Sequence, residues 1–318
     1  MPPMEGEIRT PRARQLLHLL WPIVFVLALT TDWAVEGAPL GGRRGIVWAT
    51  LGVLSFALAT PRRLPRFVSG WAPFAVLLLL YGVLRGFADG LLFPAHITPQ
   101  LDVDKFLFFG TVPTVWLQRH LWHGVGDIRP WDYVVLAIYL SHFFATLVLA
   151  GVLWVRNQRL FARYAASVCV LSGAAFVTYV LYPAVPPWLA GEDGFLPHVA
   201  RIPHAVGTDL PFGGFGALFE NGEKVANNVA AVPSLHAGYA FLISLFLWRF
   251  VHGPWRVVAV AYPLAMVFAL VYGGEHYVSD CLLGWVYATG AFLLVSRFES
   301  ALHWGPTPLP AAEPRSES

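Results

Sequence analysis

The chain has 318 residues, of which 57% are hydrophobic and only 13% are charged. Soluble domains usually carry about 25% charged residues, so this deficit favours an integral membrane protein over a soluble one. The net charge of +2 is too small to indicate a nucleic-acid-binding protein. The two cysteines, Cys169 and Cys281, fall in apolar runs and are predicted to be buried small side chains rather than a disulfide or a metal pair.

The apolar runs predict an all-α fold, a polytopic transmembrane bundle with about eight spans. Residues 1–15 are rich in proline and arginine and are predicted to be a disordered cytoplasmic N-terminus. Residues 16–66 are predicted to hold two transmembrane helices, at 16–31 and 45–60. Residues 67–298 are predicted to form a six-helix core, and residues 299–318 a disordered cytoplasmic tail.

Six spans are predicted in the core, at 67–87, 131–155, 164–182, 233–251, 257–272 and 277–298. Residues 88–130 mix polar and aromatic side chains, which indicates a helix lying at the membrane interface rather than a span. The fifth span stops at a proline cluster, residues 183–187, that cannot continue a helix. Residues 189–230 are predicted to be a second long loop.

The positions of the arginines and lysines predict the orientation of the spans. With the N-terminus inside, most of the 21 basic residues fall in short inner segments. Both termini are then cytoplasmic. The start of the 233–251 span and the loop before the 277–298 span both lie on the outer, extracytoplasmic face, so the polar motifs at these two places are expected to meet.

The first motif is Pro233-Ser234-Leu235-His236, at the start of the 233–251 span. Pro233 suits the first turn of a helix because it has no amide proton to lose. Ser234 can cap that turn, and the free amides beside it form a natural anion site. His236 then lies at the start of the helix, where an imidazole can exchange protons with a bound anion.

The second motif is Glu275-His276-Tyr277-Val278-Ser279-Asp280. His276 and Asp280 are four residues apart, so on a helix they share a face and the carboxylate can orient the ring. Two histidines, a carboxylate and an anion-binding helix start indicate phosphoryl transfer. Glu275 is predicted to be a solvated loop charge rather than a catalytic acid. Tyr277 is a candidate for substrate binding, or for an interfacial anchor of the last span.

Together, the two motifs resemble the second and third motifs of the phosphatidic-acid phosphatase type 2 superfamily. The form here is most similar to the branch of inositol phosphorylceramide synthases and their bacterial relatives, over roughly residues 100–295. The resemblance implies that His276 is the nucleophile at phosphorus, that Asp280 orients it and that His236 protonates the leaving alcohol. It also implies a phosphohistidine intermediate, captured by an alcohol or by water, within a phosphatase or phosphotransferase core.

Two phosphate-binding cations of the superfamily are missing from this sequence. The first motif is a lysine, six intervening residues and then Arg-Pro. It is absent, since Trp122 stands at the lysine position, seven residues before Arg129 of Arg129-Pro130. Leu270 stands where the third motif usually has arginine. The candidate replacements are Arg201, Lys105 and Lys224, with Arg201 first because a guanidinium can bind phosphate through two hydrogen bonds. A plain surface charge is an equal alternative for each, and Ser234 is a further substrate-binding candidate.

The sequence therefore predicts a plasma-membrane phosphotransferase that moves a phosphoryl head group from a lipid phosphate ester or phosphodiester to an alcohol. A lipid phosphate phosphatase that uses water is the alternative. A non-enzymatic transporter or scaffold is a third reading, disfavoured because the polar residues gather at the outer ends of the spans. No cofactor or metal is expected, although His236, His276 and Asp280 could bind zinc in principle. The expected partners are a membrane lipid and a lipid alcohol or water, without nucleic acid.

Overall fold

The computed structural model describes residues 20, 23–32, 47–48, 51–52, 55, 65, 68–73, 76–77, 93–210 and 228–298. The predictions for both termini, for Lys224 and for most of the first three spans lie outside the described residues. The chain divides into two compact units, residues 1–72 with 204–226, and residues 73–203 with 227–318.

The smaller unit contains helix α1 (Ile23–Asp32), which lies within the first predicted span. Its apolar side chains, such as Ile23 and Leu27, are exposed. The hydroxyl groups of Thr30 and Thr31 donate hydrogen bonds to the carbonyls of Val26 and Leu27. A helix surrounded by lipid typically has apolar side chains on its surface and satisfies its polar groups with hydrogen bonds inside the helix.

Helices account for nearly all the regular structure of the larger unit, and no β-strand forms in the described ranges. Two short helices, a hairpin of long helices and a proline-rich loop come first, followed by the helices that carry the two motifs. The helices are α2 (Thr98–Leu107), α3 (Pro113–Leu121), α4 (Pro130–Arg156), α5 (Gln158–Leu181), α6 (Pro187–Glu192), α7 (Ile202–Asp209, continuing into the smaller unit), α8 (Leu235–Leu247), α9 (Pro254–Tyr272) and α10 (Val278–Phe298).

Three of these helices, α5, α9 and α10, are long and apolar enough to cross a membrane. Helix α4 is a fourth if its halves, Pro130–His142 and Phe144–Arg156, which meet at 48°, form one span. The chain is thus an all-α integral membrane protein. The total of eight spans stays a prediction, because the first three fall largely outside the described residues.

Two predicted helix boundaries are wrong for local reasons. Helix α5 begins six residues before its predicted start because the Asn157 side chain accepts a hydrogen bond from the Leu160 amide and caps the helix there. Helix α8 has 13 residues instead of the predicted 233–251. At 1.5 Å per residue it is only about 20 Å long, against a hydrocarbon thickness of about 30 Å.

The two motifs lie at the same end of the helical bundle. At this end the hydroxyl of Tyr272, the last residue of α9, donates a 2.6 Å hydrogen bond to Asp132 in the first turn of α4. Tyr179, near the end of α5, donates one to the carbonyl of Pro233, just before α8. The starts of α4, α8 and α10 and the ends of α5 and α9 therefore meet, and α8 runs parallel to α10.

Helices α2, α3 and α6 form a covering layer over this end. Buried side chains of the layer, among them Leu101, Val112 and Ala190, pack around Tyr277. The interfacial segment has two helices where one was predicted, joined at Gly110, whose positive φ of 88° suits glycine. Phe109 beside it is 99% exposed, as expected for an aromatic side chain that reaches lipid.

Helices α8 and α10 are in direct backbone contact. The amide of Ser234 donates a 3.0 Å hydrogen bond to the carbonyl of Asp280. A Cβ atom on Gly284 would collide with the carbonyl oxygen of Ser234, and one on Gly238 would lie 3.1 Å from the carbonyl oxygen of Gly284. The two motifs can stay side by side only while residue 284 has no side chain.

Replacing Gly284 by alanine should therefore separate the two motifs. Alanine suits a helix better than glycine by about 1 kcal/mol, so any loss of stability must come from the collision with Ser234, which we expect to destabilise the fold by about 1–3 kcal/mol. The thermal unfolding midpoint in detergent and the rate of lipid turnover should both fall. Gly290→Ala on the same helix is the matched control, because no atom lies within 4 Å of the added Cβ. Normal turnover by Gly284→Ala would contradict the close contact.

Candidate active site

His236 is the second residue of α8, and its backbone is fixed by the cap of that helix. The Ser234 side chain accepts a 3.3 Å hydrogen bond from the amide of Ala237, so Ser234 is the N-cap as predicted. Pro233 precedes the cap, and its predicted place in the first turn is wrong because the helix begins only at Leu235. Ser234 is fully buried.

His276 and Asp280 form a pair at the start of α10. The Nδ1 atom of His276 lies 3.5 Å from Oδ2 of Asp280, an ion-pair distance slightly beyond a usual hydrogen bond. The predicted shared helical face is wrong in detail, because α10 begins at Val278 and His276 lies in the turn before it. The carboxylate reaches back over that turn and also accepts the Tyr277 amide at 2.9 Å.

The two motif histidines lie close together, as the predicted topology required. The ring centroids of His236 and His276 are 5.6 Å apart, with planes inclined at 58°. His276 is only 6% exposed and Asp280 only 1%. Because Nδ1 of His276 faces Asp280, Nε2 is the ring nitrogen that this carboxylate does not engage.

Asp104 of α2 holds the start of α10 from outside that helix. Its two carboxylate oxygens accept the amides of Val278 and Ser279 at 3.0 and 2.9 Å. Burial raises the pKa of the Asp104 carboxyl, and the two amide hydrogen bonds oppose that shift. Asp280 accepts the Tyr277 amide, so the two carboxylates together accept hydrogen bonds from three successive backbone amides at the start of α10.

Arg201 lies beside the second motif. Its Nε atom donates a 2.8 Å hydrogen bond to Glu275, and its guanidinium stacks over the Trp188 ring at 4.8 Å from the centroid. The Glu275 side chain is only 10% exposed. The prediction of a solvated charge at Glu275 is thus wrong, because Arg201 pairs with it from a segment 74 residues away.

Gln118 of α3 fixes the segment that carries Arg201. Its Nε2 atom donates to the carbonyls of Ala200 and Tyr272, and its Oε1 atom accepts the Ala200 amide, all at 2.8 Å. The residue before Arg201 is therefore tied to the end of α9, three residues before Glu275. The sequence offered no more than a polar residue on an amphipathic helix as a signal for this role.

The side chains of Lys105 and Tyr277, two further predicted substrate-binding residues, do not join the histidines. Lys105 is exposed in the last turn of α2 and contacts neither motif histidine in the described part of the chain. Tyr277 is fully buried in the covering layer, so the prediction of an interfacial anchor is wrong. Burial raises the pKa of the Tyr277 hydroxyl, which keeps it protonated.

His142 is a third histidine at the site, and the sequence reading missed it. Its ring lies 4.0 Å from that of His236, between centroids. His142 stands inside α4, so the expectation that polar residues gather only at the ends of spans is wrong. A lone ionisable residue within an apolar span is itself a signal of function, and that signal could have found it.

The chain matches a family of known chemistry. The model of the PAP2 superfamily matches residues 110–294, more than half of the chain. The chain belongs to the PAP2 superfamily. A phosphoinositol dihydroceramide synthase of Bacteroides thetaiotaomicron is 26% identical over 255 residues, which cover 75% of this chain and 79% of that protein. No solved structure matches the chain.

The resemblance seen in the two motifs is thereby confirmed. The PAP2 superfamily protein described here is a membrane enzyme, a lipid phosphotransferase or a lipid phosphate phosphatase. The alternative interpretation, a non-enzymatic transporter or scaffold, is therefore not supported. Cys281 is buried, as predicted, whereas Cys169 is only partly buried, so the prediction of burial is wrong for that residue.

Asp104→Ala should loosen the start of α10. It removes both acceptors of the Val278 and Ser279 amides, so we expect a loss of about 1–2 kcal/mol of stability, typical of a lost helix cap. Lipid turnover should fall with it, because His276 lies only two residues before Val278. Thermal unfolding in detergent and an initial-rate assay would measure both effects. Asp102→Ala, an exposed carboxylate on the same helix, should change neither; equal behaviour of the two variants would refute the cap.

Proposed function

We propose that this PAP2 superfamily enzyme transfers a phosphoryl head group from a lipid phosphodiester to the hydroxyl group of a second lipid. The observation that carries the proposal is the meeting of His236, His276 and Asp280 at one end of the bundle. A nucleophile, its orienting carboxylate and a second proton-transfer group are the parts that covalent phosphoryl transfer requires.

In the first step Nε2 of His276 attacks phosphorus as the bond from phosphorus to the leaving oxygen breaks. Asp280, 3.5 Å from Nδ1, holds the ring in the reactive tautomer and stabilises the positive charge that attack creates. His236 gives its proton to the leaving oxygen, so the departing lipid is a neutral alcohol. The product is a phosphohistidine at His276.

In the second step the acceptor hydroxyl attacks the phosphohistidine. His236, now neutral, takes the hydroxyl proton, the bond from phosphorus to Nε2 breaks, and both histidines return to their starting states. The same residue is acid in one step and base in the next, as microscopic reversibility requires. The two rings are close enough for both to reach one phosphoryl group.

Arg201 is the best supported of the candidate phosphate-binding cations. Its pairing with Glu275 places the guanidinium next to the residue that precedes His276. The start of α8, with Ser234 at its cap, supplies backbone amides that favour an anion. These groups can balance the charge of the phosphoryl oxygens where the superfamily's usual lysine and arginines are missing. For Lys105 the structure provides no comparable support.

Transfer to an alcohol is favoured over transfer to water by the covering layer. His276 is nearly inaccessible beneath it, and exclusion of water protects a reactive intermediate from hydrolysis. The relative from Bacteroides thetaiotaomicron is named for the synthesis of phosphoinositol dihydroceramide. We therefore propose phosphoinositol as the head group and a ceramide-like lipid alcohol as the acceptor. The distribution of basic residues supports cytoplasmic termini and an active site on the extracytoplasmic face of the plasma membrane.

The proposal is tested with purified protein in liposomes that contain phosphatidylinositol, with or without dihydroceramide. The wild-type enzyme should form a new inositol phospholipid only when the acceptor is present, and an acid-labile phosphoenzyme when it is absent. His276→Ala should abolish both, since no nucleophile remains, whereas His236→Ala should slow phosphoenzyme formation by about 100-fold or more.

The outcomes separate the alternatives. Release of inositol phosphate at the same rate with and without acceptor, lost in His276→Ala, would identify a phosphatase instead. The same assay with phosphatidic acid in place of phosphatidylinositol tests whether the enzyme hydrolyses a phosphate monoester. Turnover that persists in His276→Ala would contradict the proposed nucleophile whichever acceptor is used.

Arg201→Ala should weaken transition-state binding of the phosphoryl group. We expect kcat/KM for phosphatidylinositol to fall by about 10- to 100-fold, with Arg201→Lys intermediate because lysine keeps the charge and loses the paired geometry. Steady-state rates in mixed micelles measure this. Arg156→Ala is the matched control, an exposed arginine at the last residue of α4 and the opposite end of the bundle. A normal kcat/KM in Arg201→Ala would contradict phosphate binding by Arg201 and would limit its role to the ion pair with Glu275.

A further inference from the structure

A third histidine packs against the proposed general acid. The ring centroid of His142 lies 4.0 Å from that of His236, with planes inclined at 35°. Tyr139, one helical turn earlier on α4, stacks on the same ring at 5.2 Å and 20°. Residues three apart on a helix share a face, so one face of α4 provides two of the rings that border His236.

Helix α4 is held firmly against the rest of the site. Asp132 in its first turn accepts the hydroxyl of Tyr272 at 2.6 Å, and Ser141 pairs with the hydroxyl of Tyr262 at 2.9 Å. Both tyrosines belong to α9, the helix that leads into the turn carrying His276. The position of His142 is therefore fixed relative to the nucleophile as well as to His236.

His236 needs such support because its cap fixes only its backbone. Two side-chain torsions still decide where the imidazole nitrogens point, and a general acid works only within hydrogen-bond reach of the leaving oxygen. Displacements of about 1 Å can cost about 100-fold in rate. A leucine or phenylalanine could fill the same space within an apolar span without the cost of a polar ring, so a histidine here points to a role beyond filling space.

We propose that His142 is a positioning residue that holds the His236 imidazole in the orientation from which it protonates the leaving oxygen. The inference rests on the proposed function, because it assigns His142 to one step of that reaction. His142 acts through His236: the proton that reaches the leaving oxygen comes from His236, and His142 keeps its own. Its loss should harm leaving-group protonation and spare attack by His276.

Two donors that differ only in the leaving group separate these steps. Phosphatidylinositol must expel a diacylglycerol alkoxide, which needs a proton, whereas 4-nitrophenyl phosphoinositol expels a stable anion. For His142→Ala we expect the rate of phosphoenzyme formation, measured without acceptor, to fall by about tenfold or more with phosphatidylinositol and by less than about threefold with the nitrophenyl donor. His236→Ala should show the same selectivity, and adding His142→Ala to it should cause no further loss.

A control variant and a second His142 variant distinguish loss of positioning from loss of folding. Phe144→Ala removes a ring that is 57% exposed on the same helix and should change neither rate. Turnover of the nitrophenyl donor reports that a variant is folded, and His142→Asn is the more conservative replacement. Equal losses on both donors in both His142 variants, or a full additional loss in the His236→Ala background, would overturn the inference. Wild-type protein that uses neither donor, or His276→Ala that uses both, would instead contradict the proposed function.

Discussion

The site depends on the backbone contact between α8 and α10. The hydrogen bond from the Ser234 amide to the Asp280 carbonyl joins the residue that caps one motif helix to the carboxylate of the other motif. Because Gly284 lets the two backbones touch, the separation of His236 from His276 is set by main-chain atoms rather than by flexible side chains. Rigid elements of this kind hold a catalytic geometry more precisely than loops do.

The two helix starts at this end are used differently. The first amides of α10 are occupied by Asp104 and Asp280, so the positive end of that helix dipole stabilises the carboxylate beside His276 rather than a substrate. At α8 the cap is the neutral Ser234, and no protein carboxylate competes for an anion among its described partners. In the proposed mechanism, this difference favours binding of the phosphoryl group at the start of α8 and leaves His276 as the nucleophile.

Local features of the fold could be predicted from the sequence, whereas distant contacts could not. Hydropathy located α4, α9 and α10, because a long apolar run has few alternatives to a span. The predicted start of α5 was wrong, since the capping residue Asn157 outweighs the hydropathy around it. The predicted end of α8 was wrong because the apolar sequence continues past Leu247, where the helix ends. The contacts of Asp104, Gln118 and Glu275 join segments far apart in the chain, and one sequence without folded neighbours gives no signal for them.

The covering layer bears on how the proposed phosphohistidine would survive. At about 20 Å, α8 is too short to reach both surfaces of a hydrocarbon layer of about 30 Å. The covering layer of α2, α3 and α6 closes over the neighbouring start of α10. A phosphohistidine formed there would meet lipid hydroxyl groups that arrive laterally through the membrane more readily than bulk water. A phosphohistidine sheltered in this way still depends on correct placement of His236, which is the role that we propose for the anchored His142.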